Sequence, residues 1–288
     1  MAVATNGSDF DFVRRMTPDG YAFPVHRLKR TCAPGKVPLI IVACGSFSPV
    51  TLLHLRMFPM ALDHAKNTAA GFDVVGGYLS PVGDAYKKNG LVPAHHRVNM
   101  CRLAAENTSK WLMVDTWEAE NHLYMPTAVY SKRVLDHFDW EINHVRGGVE
   151  IADGTTTRVP ARIMLLAGAD LIQTISTREV WDVRDVNHIL GNFGVFVLER
   201  MGTDLETALA QLRRWEKNIH VIRQVVVNNI SSTTVRLLLK RDMSIEYLIP
   251  QEVIEYVVAN NLYRDMELQV TEESKDTSRA AEPSGSSR

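Results

Sequence analysis

Residues 37–56 read VPLIIVACGSFSPVTLLHLR, and this stretch decides the fold. Its unbroken apolar run, Leu39–Ala43, has the length and the β-branched content of a buried strand. A glycine turn follows at Gly45, and a helical pattern begins after Thr51, a residue type suited to cap a helix. A strand, a glycine turn and a helix in this order predict the first unit of a parallel α/β sheet.

Other short apolar runs along the chain alternate with helical patterns in the same way. In these runs the apolar residues do not alternate with polar ones, which is typical of strands buried on both faces. We therefore predict an α/β fold: a single-domain, doubly wound parallel sheet with helices on both faces. The predicted strands are Leu39–Ala43, Val74–Leu79, Trp111–Val114, Ile163–Leu166, Val195–Leu198 and His220–Ile222.

The chain has 288 residues, of which 45% are apolar and 23% charged, so it can bury one full core. In residues 1–36 the apolar residues show no sustained helical or strand periodicity. This segment is predicted to be an N-terminal extension with at most weak local structure. The predicted domain is 37–264. The tail, 265–288, is expected to be disordered because it ends in a long polar stretch without aromatic residues. Residues 144–160 are predicted to be an inserted loop or hairpin, to which no chemistry is assigned.

Charge and composition exclude several classes of protein. Lys and Arg number 32 against 33 for Asp and Glu, so no global field favours nucleic acid or a membrane as partner. The longest apolar runs, such as Val37–Cys44, are far shorter than the ~20 residues that cross a bilayer. The acidic N-terminus does not resemble a secretory signal. The three cysteines lack metal-like spacing, which argues against a zinc site and indicates a reducing compartment, cytoplasmic and/or nuclear.

The loop after the first predicted strand is a candidate phosphate site. A helix that begins at the end of a parallel strand binds anions through its dipole and its free N–H groups. His54, three residues after Thr51, would lie one turn into that helix and could donate to a phosphate oxygen. The alternative is a tight strand-to-helix turn with a surface histidine.

A second motif near the other end of the chain has similar chemistry. Ser231 or Ser232 is suited to cap a helix, and Arg236 follows close to the same face. An ordinary capped helix with a solvated arginine is the alternative. Taken together, the two motifs predict a polyphosphate cradle formed by two loops of one sheet.

These motifs resemble those of a known family. The segment Gly45–Pro49 with Thr51 and His54, and the segment Ile230–Thr233 with Arg236, are similar to the two signatures of the eukaryotic nicotinamide mononucleotide adenylyltransferases, which are Rossmann-like nucleotidyltransferases. The resemblance covers residues 38–263. Three more segments match in the order of the family: SPVGDAYKK at 80–88, VDTWE at 114–118 and GAD at 168–170.

The resemblance implies an activity. The enzyme would transfer AMP from ATP to nicotinamide or nicotinate mononucleotide, forming NAD or deamido-NAD and pyrophosphate in NAD biosynthesis. It also implies a magnesium ion held mainly through the ATP phosphates, with no metal ligand from the protein. The preference between the amide and acid acceptors and the oligomeric state stay open, with a homo-oligomer among the alternatives.

The resemblance also implies roles for individual residues. Charge stabilisation falls to His54, Lys88 and Arg236. Gly168 and Asp170 would face ribose hydroxyls. The residues implied to bind the phosphates are Gly45, Ser46, Phe47, Ser231 and Ser232, and those implied at the mononucleotide are Trp117, Thr127 and Trp181, of which Trp181 would stack on the nicotinamide ring.

Two positions depart from the family pattern. Ser48 stands where Asn is most frequent, which puts a specific role for this side chain in doubt, and Tyr124 stands where relatives place a second aromatic residue. Two other functions remain as alternatives. One is an adenylyltransferase with another acceptor, such as phosphopantetheine. The other is a nucleotide-binding regulator or chaperone with a degraded site.

Overall fold

A parallel sheet forms the centre of the computed structural model, which describes residues 7–68, 71–86, 88–121, 127–177, 181–199 and 204–264. Within these ranges the strands, numbered along the chain, are β1 (Thr31–Cys32), β2 (Val37–Gly45), β3 (Phe72–Pro81), β4 (Leu112–Val114), β5 (Val149–Ile151), β6 (Arg158–Val159), β7 (Arg162–Gly168), β8 (Val195–Leu198) and β9 (Ile219–Ile222).

The main sheet of the described chain has six strands in the order β4–β3–β2–β7–β8–β9, and all neighbours are parallel. The chain starts in the middle at β2, winds outward to β4, then returns beside β2 and winds outward to β9. This is the strand order of a doubly wound Rossmann-like sheet, which reverses direction between β2 and β7. The predicted fold class is confirmed, and every predicted strand belongs to this sheet.

Helices connect the strands. They are α1 (Gly7–Met16), α2 (Leu52–Asn67), α3 (Ala94–Thr108), α4 (Thr127–Asp139), α5 (Ala169–Ser176), α6 (Val183–Val186), α7 (Leu205–Gln211), α8 (Ser232–Lys240) and α9 (Gln251–Ala259). Two π-helical turns, Trp140–Val145 and Asn187–Phe193, and a 3₁₀ turn, Arg213–Asn218, extend or follow them. Thr51 caps α2 and Ser231 caps α8, as their residue types predicted.

Both faces of the sheet are covered, as successive residues of β2 show. Leu39 and Ile41 belong to one apolar cluster, together with residues of α2, α3 and α9. Ile40 and Val42 belong to a second cluster, together with residues of α4, α5 and α7. All four side chains have no exposed surface. Burying such a side chain stabilises the fold by about 1.5–3 kcal/mol, so β2 anchors both layers.

The N-terminal segment differs from its prediction of weak local structure. It contains α1 and β1, and Val13 is fully buried in the core. The guanidinium of Arg27 donates to the backbone oxygens of Ala105, Ser109 and Leu112 at 2.8–3.1 Å. These partners lie far along the chain, so no local period could indicate that the segment packs there. The proposed domain boundary at residue 37 stays a prediction, and the described part of the extension packs against that domain.

Residues 144–160 contain a hairpin, as one of the two forms predicted for them. Strands β5 and β6 pair antiparallel, and β1 pairs parallel with β5 to form a small second sheet. The tail, 265–288, lies outside the described residues. No helix in the described ranges has the length and apolar character needed to span a membrane.

Candidate active site

A cleft of about 400 Å³ opens where the strand order reverses between β2 and β7. The ends of these strands and the start of α8 line it. Open parallel sheets bind ligands at this place, since crossovers to opposite faces leave a crevice beyond the carboxyl ends of the strands. The cleft brings together these predicted site residues: Gly45, Ser46, Phe47, His54, Lys88, Gly168, Asp170, Ser231, Ser232 and Arg236.

The loop that leaves β2 folds onto its own aromatic ring. Phe47 has a φ of 44°, in the left-handed region, and is buried. A Cβ added at Gly45 would lie 3.0 Å from the Phe47 ring, so a larger residue would require the ring to shift by a few tenths of an ångström. The same ring contacts the His54 imidazole edge-on, with centroids 5.2 Å apart. Gly45, Phe47 and His54 therefore form one packed unit at the edge of the cleft.

His54 completes the cap at the start of α2. The backbone N–H of Thr51 donates to His54 Nδ1 at 3.0 Å, and the N–H of His54 donates to Thr51 Oγ1 at 3.4 Å. An imidazole thus replaces the usual Glu or Gln of a capping box. Because a backbone N–H can only donate, Nδ1 is an acceptor, and the neutral ring carries its hydrogen on Nε2. The cap therefore fixes both the ring and the tautomer.

The start of α8 is tied to the loop of the first motif. Ser231 Oγ accepts from the N–H of Thr234 at 3.1 Å, which caps the helix. Ser232 Oγ donates to the backbone oxygen of Pro49 at 2.8 Å. The hydroxyl hydrogen of Ser232 therefore links the start of α8 to the loop after β2. The free backbone N–H groups at the start of α8 are suited to bind an anion in the cleft.

Arg236 lies in the first turns of α8 and is only 7% exposed. Its Nη1 donates to the backbone oxygen of Ser48 at 2.7 Å, and its Nη2 donates to Thr233 Oγ1 at 3.3 Å. Its Nε has no hydrogen-bond partner among the described residues. Burial lowers the pKa of the guanidinium. A buried cation without a described carboxylate partner suits a site that binds an anion.

Lys88 and the start of α5 complete the cleft. Lys88 is exposed and lies in a turn, where its N–H donates to the backbone oxygen of Tyr86 at 2.8 Å. Gly168 ends β7 and precedes the first turn of α5, and the exposed Asp170 lies in that turn. The starts of α2, α5 and α8 are thus directed to one volume with a lysine and an arginine, which favours a polyphosphate there.

The predicted mononucleotide residues lie elsewhere. Trp117 is fully buried, donates from Nε1 to Thr17 Oγ1 at 3.1 Å, and stacks on His137 at 4.7 Å. Trp181 is 9% exposed and lines a second cleft of about 870 Å³. Thr127 begins α4, but its side chain lies outside the described residues, as does Tyr124. The roles of Trp117, Thr127 and Trp181 stay predictions.

Comparison with known proteins places the chain in a family. The model of the cytidylyltransferase-like family matches residues 42–238. A nicotinamide/nicotinic acid mononucleotide adenylyltransferase of Oryza sativa subsp. japonica is 39% identical over 229 residues, which cover 78% of this chain and 86% of that protein. The chain belongs to the nicotinamide/nicotinic acid mononucleotide adenylyltransferase family. The recognition made from the sequence motifs is confirmed.

Other members of this adenylyltransferase family extend the comparison. Nicotinamide/nicotinic acid mononucleotide adenylyltransferase 2 of Saccharomyces cerevisiae is 52% identical over 251 residues, 86% of this chain. The chain spans 62% of the length of that relative. The solved structure of the Plasmodium falciparum nicotinic acid mononucleotide adenylyltransferase has a TM-score of 0.53 at 20% identity and covers 80% of this chain and 99% of its own, which supports the fold.

Arg97 is a residue of this family member that motif reasoning missed. It is fully buried in α3, and its guanidinium donates to the backbone oxygens of Val92 at 2.9 Å and Ser46 at 3.2 Å and to Asp84 Oδ1 at 3.2 Å. Ser46 lines the cleft, so Arg97 helps to fix the position of the loop that follows β2. An arginine on the apolar face of a predicted helix was the available signal, because a buried guanidinium requires several acceptors.

A buried carboxyl follows β4 in the VDTWE segment. Glu118 is 1% exposed, and its Oε2 has no hydrogen-bond partner in the described part of the chain. Burial, with a smaller contribution from Asp115, raises the pKa of Glu118 to about 8. Glu118 is therefore mostly protonated at neutral pH.

Proposed function

We propose that the chain transfers AMP from ATP to nicotinamide or nicotinate mononucleotide, giving NAD or deamido-NAD and pyrophosphate. The observation that carries the proposal is the convergence of His54, Lys88 and Arg236 with three helix N-termini in one cleft at the strand reversal. A site of this kind favours a chain of phosphates. The relatives described above, which are nicotinamide/nicotinic acid mononucleotide adenylyltransferases, supply the acceptor.

The chemistry needs no nucleophile from the protein. A phosphate oxygen of the mononucleotide attacks the α-phosphorus of ATP in line, the bond between that phosphorus and the bridging oxygen breaks, and pyrophosphate leaves. Two anions must approach each other, so catalysis depends on position and charge. We assign charge stabilisation at the phosphates to His54, Lys88 and Arg236. The backbone of Gly45–Phe47 and the start of α8 at Ser231 and Ser232 hold the phosphates in place.

The acceptor would extend along α5. The first turn of this eight-residue helix lines the first cleft through Asp170, and its end lines the second cleft through Ile175. Trp181, which follows the helix in sequence, lines the same second cleft. Eight residues of helix span about 12 Å, which suits a dinucleotide that bridges the two clefts. We therefore keep Trp181 as the ring that stacks on the pyridine and Gly168 with Asp170 at the ribose.

We also propose magnesium as the divalent cation. No group of three or more His, Cys, Asp or Glu side chains in the described ranges is placed to hold a metal ion. The donors present fit an ion that arrives with ATP, because Lys88 and Arg236 would bind the phosphates and the ion would need few ligands from the protein. When bound, the ion would neutralise part of the charge on those phosphates. A cytoplasmic or nuclear location is the accompanying expectation.

The proposal is tested by measuring pyrophosphate release from ATP with each acceptor in turn. Nicotinamide mononucleotide and nicotinate mononucleotide should both support release, and phosphopantetheine should not. Release with phosphopantetheine alone would reassign the acceptor. ATP binding without release for any acceptor would favour a regulator. His54→Ala serves as the matched inactive control, since it leaves Lys88 and Arg236 in place.

A further inference from the structure

Ser48 lies where four parts of the chain meet beneath the cleft. It has no exposed surface. Its Oγ donates to the backbone oxygen of Gly90 at 3.1 Å, accepts from the N–H of Val92 at 3.3 Å and lies 3.1 Å from the hydroxyl of Tyr263. Its own backbone oxygen accepts from Arg236. The position that departs from the family pattern is thus a junction of hydrogen bonds.

The number of hydrogens at this junction assigns every donor. A serine hydroxyl has one hydrogen, and the carbonyl of Gly90 can only accept, so Ser48 gives its hydrogen to Gly90. The remaining lone pairs of Ser48 accept from Val92 and from Tyr263. Burial raises the pKa of Tyr263, which keeps its hydroxyl protonated and able to donate. Tyr263 is therefore the donor in its contact with Ser48.

The junction connects the segments that carry two cations of the cleft, Lys88 and Arg236. Gly90 and Val92 lie directly after Lys88, and the N–H of Leu91 closes that turn by donating to the backbone oxygen of Lys88 at 3.3 Å. A Cβ added at Gly90 would lie 2.7 Å from Arg236 Nε, so the turn also packs on the guanidinium. A displacement of Ser48 would move both the Lys88 turn and the acceptor of Arg236.

We propose that Tyr263 is a positioning residue for phosphate binding, which it supports by holding Ser48 between Arg236 and the Lys88 turn. The inference rests on the proposed function of the cleft. Tyr263 follows α9 and is 3% exposed, with its ring in the core cluster on that face of the sheet. Its hydroxyl is the part that reaches the junction, and it also lies 4.0 Å from Met100 Sδ. A phenylalanine would keep the packing of the ring and remove the hydrogen bond to Ser48 together with this long contact to sulfur.

The test compares two tyrosines of the same C-terminal region. Tyr263→Phe removes the hydroxyl at Ser48. Tyr256→Phe is the matched control, because its hydroxyl accepts from Asn99 at 3.1 Å and lies 2.9 Å from His96 Nδ1, on the contact between α9 and α3. The measurements are ATP affinity by calorimetry without acceptor, the KM of each mononucleotide, kcat and the melting temperature.

Tyr263→Phe should weaken ATP binding by about 3-fold to 10-fold, the effect of one lost buried hydrogen bond, with mononucleotide KM nearly unchanged. In a Ser48→Ala background the same substitution should weaken ATP no further, because the path through Ser48 is already broken. Unchanged ATP affinity in Tyr263→Phe, equal loss in Tyr256→Phe, or full additivity with Ser48→Ala would overturn the inference. ATP binding without transfer in the wild type would instead refute the proposed function and leave the affinity comparison valid.

Discussion

Glu118→Gln should change how stability depends on pH. The side chain is buried, and its pKa is raised from 4.5 to about 8, first by burial and then by Asp115. The folded state therefore binds a proton that the unfolded state has released between these values. The stability from this protonated carboxyl is fully present below pH 4.5 and is lost as pH rises through about 8. Glutamine keeps the shape and cannot ionise, so the variant should not show this loss.

The size of the effect follows from the same shift. Linkage sets a limiting loss on the order of 1 kcal/mol for each pH unit, and the full shift corresponds to roughly 5 kcal/mol. In a protein of this size, 1 kcal/mol moves the melting temperature by about 2–4 °C. The melting temperature of Glu118→Gln relative to wild type should therefore rise by several degrees between about pH 6 and pH 8.5.

Calorimetric or fluorescence melting at a series of pH values measures this directly. Glu120→Gln is the matched control, because Glu120 lies in the same turn but is exposed. The difference between Glu118→Gln and wild type should grow with pH, while the difference for Glu120→Gln should stay flat. A constant difference for Glu118→Gln across the series would refute a buried, protonated Glu118.

Four further outcomes are expected. His54→Ala should lower the rate of pyrophosphate release by about 10²-fold to 10³-fold. The lost cap of α2 should lower the melting temperature by no more than about 2–4 °C, and near-normal turnover would contradict the assigned role. Trp181→Ala should raise the mononucleotide KM by about 5-fold to 150-fold without changing the KM of ATP. Trp181→Phe should recover part of the loss. An equal rise in both KM values would indicate a core residue instead. Burial, with smaller contributions that include His64, lowers the pKa of His220 to about 4. The wild type should therefore lose stability as pH falls from 6.5 towards 4. His220→Gln should reduce this loss, measured as melting temperature against pH. Deletion of residues 271–288 should leave the melting temperature unchanged, and a drop of several degrees would show that the segment packs.

The strands and the helix caps could be predicted because their signals are local. The unbroken apolar run at Leu39–Ala43 specifies a strand buried on both faces, and Thr51 and Ser231 have the side chains that cap a helix. Parallel strands then bring their carboxyl ends together, so loops far apart in sequence meet without further information. For this reason the sequence predicted His54 and Arg236 at one site, and the structure brings both residues to one cleft.

Contacts between distant segments could not be predicted in this way. In the sequence, Arg97 does not differ from other helix residues. The backbone oxygen of Ser46, to which its guanidinium donates, lies 51 residues away along the chain. The N-terminal segment has no period, yet Thr17 hydrogen-bonds Trp117 in the core. Trp117 is fully buried and is not among the residues that line the first cleft. An aromatic ring gains as much from a core as from a ligand, so the sequence alone does not distinguish the two.

The distance along the chain between the partners of the cleft has a consequence for protein synthesis. Ser48 meets Arg236 and Tyr263 across 188 and 215 residues. At about 5–20 residues per second, the ribosome needs roughly 10–45 s to make the chain between Ser48 and Tyr263. During this time the loop after β2 already exists but lacks its arginine and its tyrosine. We expect a nascent chain to be unable to bind nucleotide tightly until Arg236, α9 and Tyr263 have left the ribosome, so that the cleft gains its full set of contacts late in synthesis.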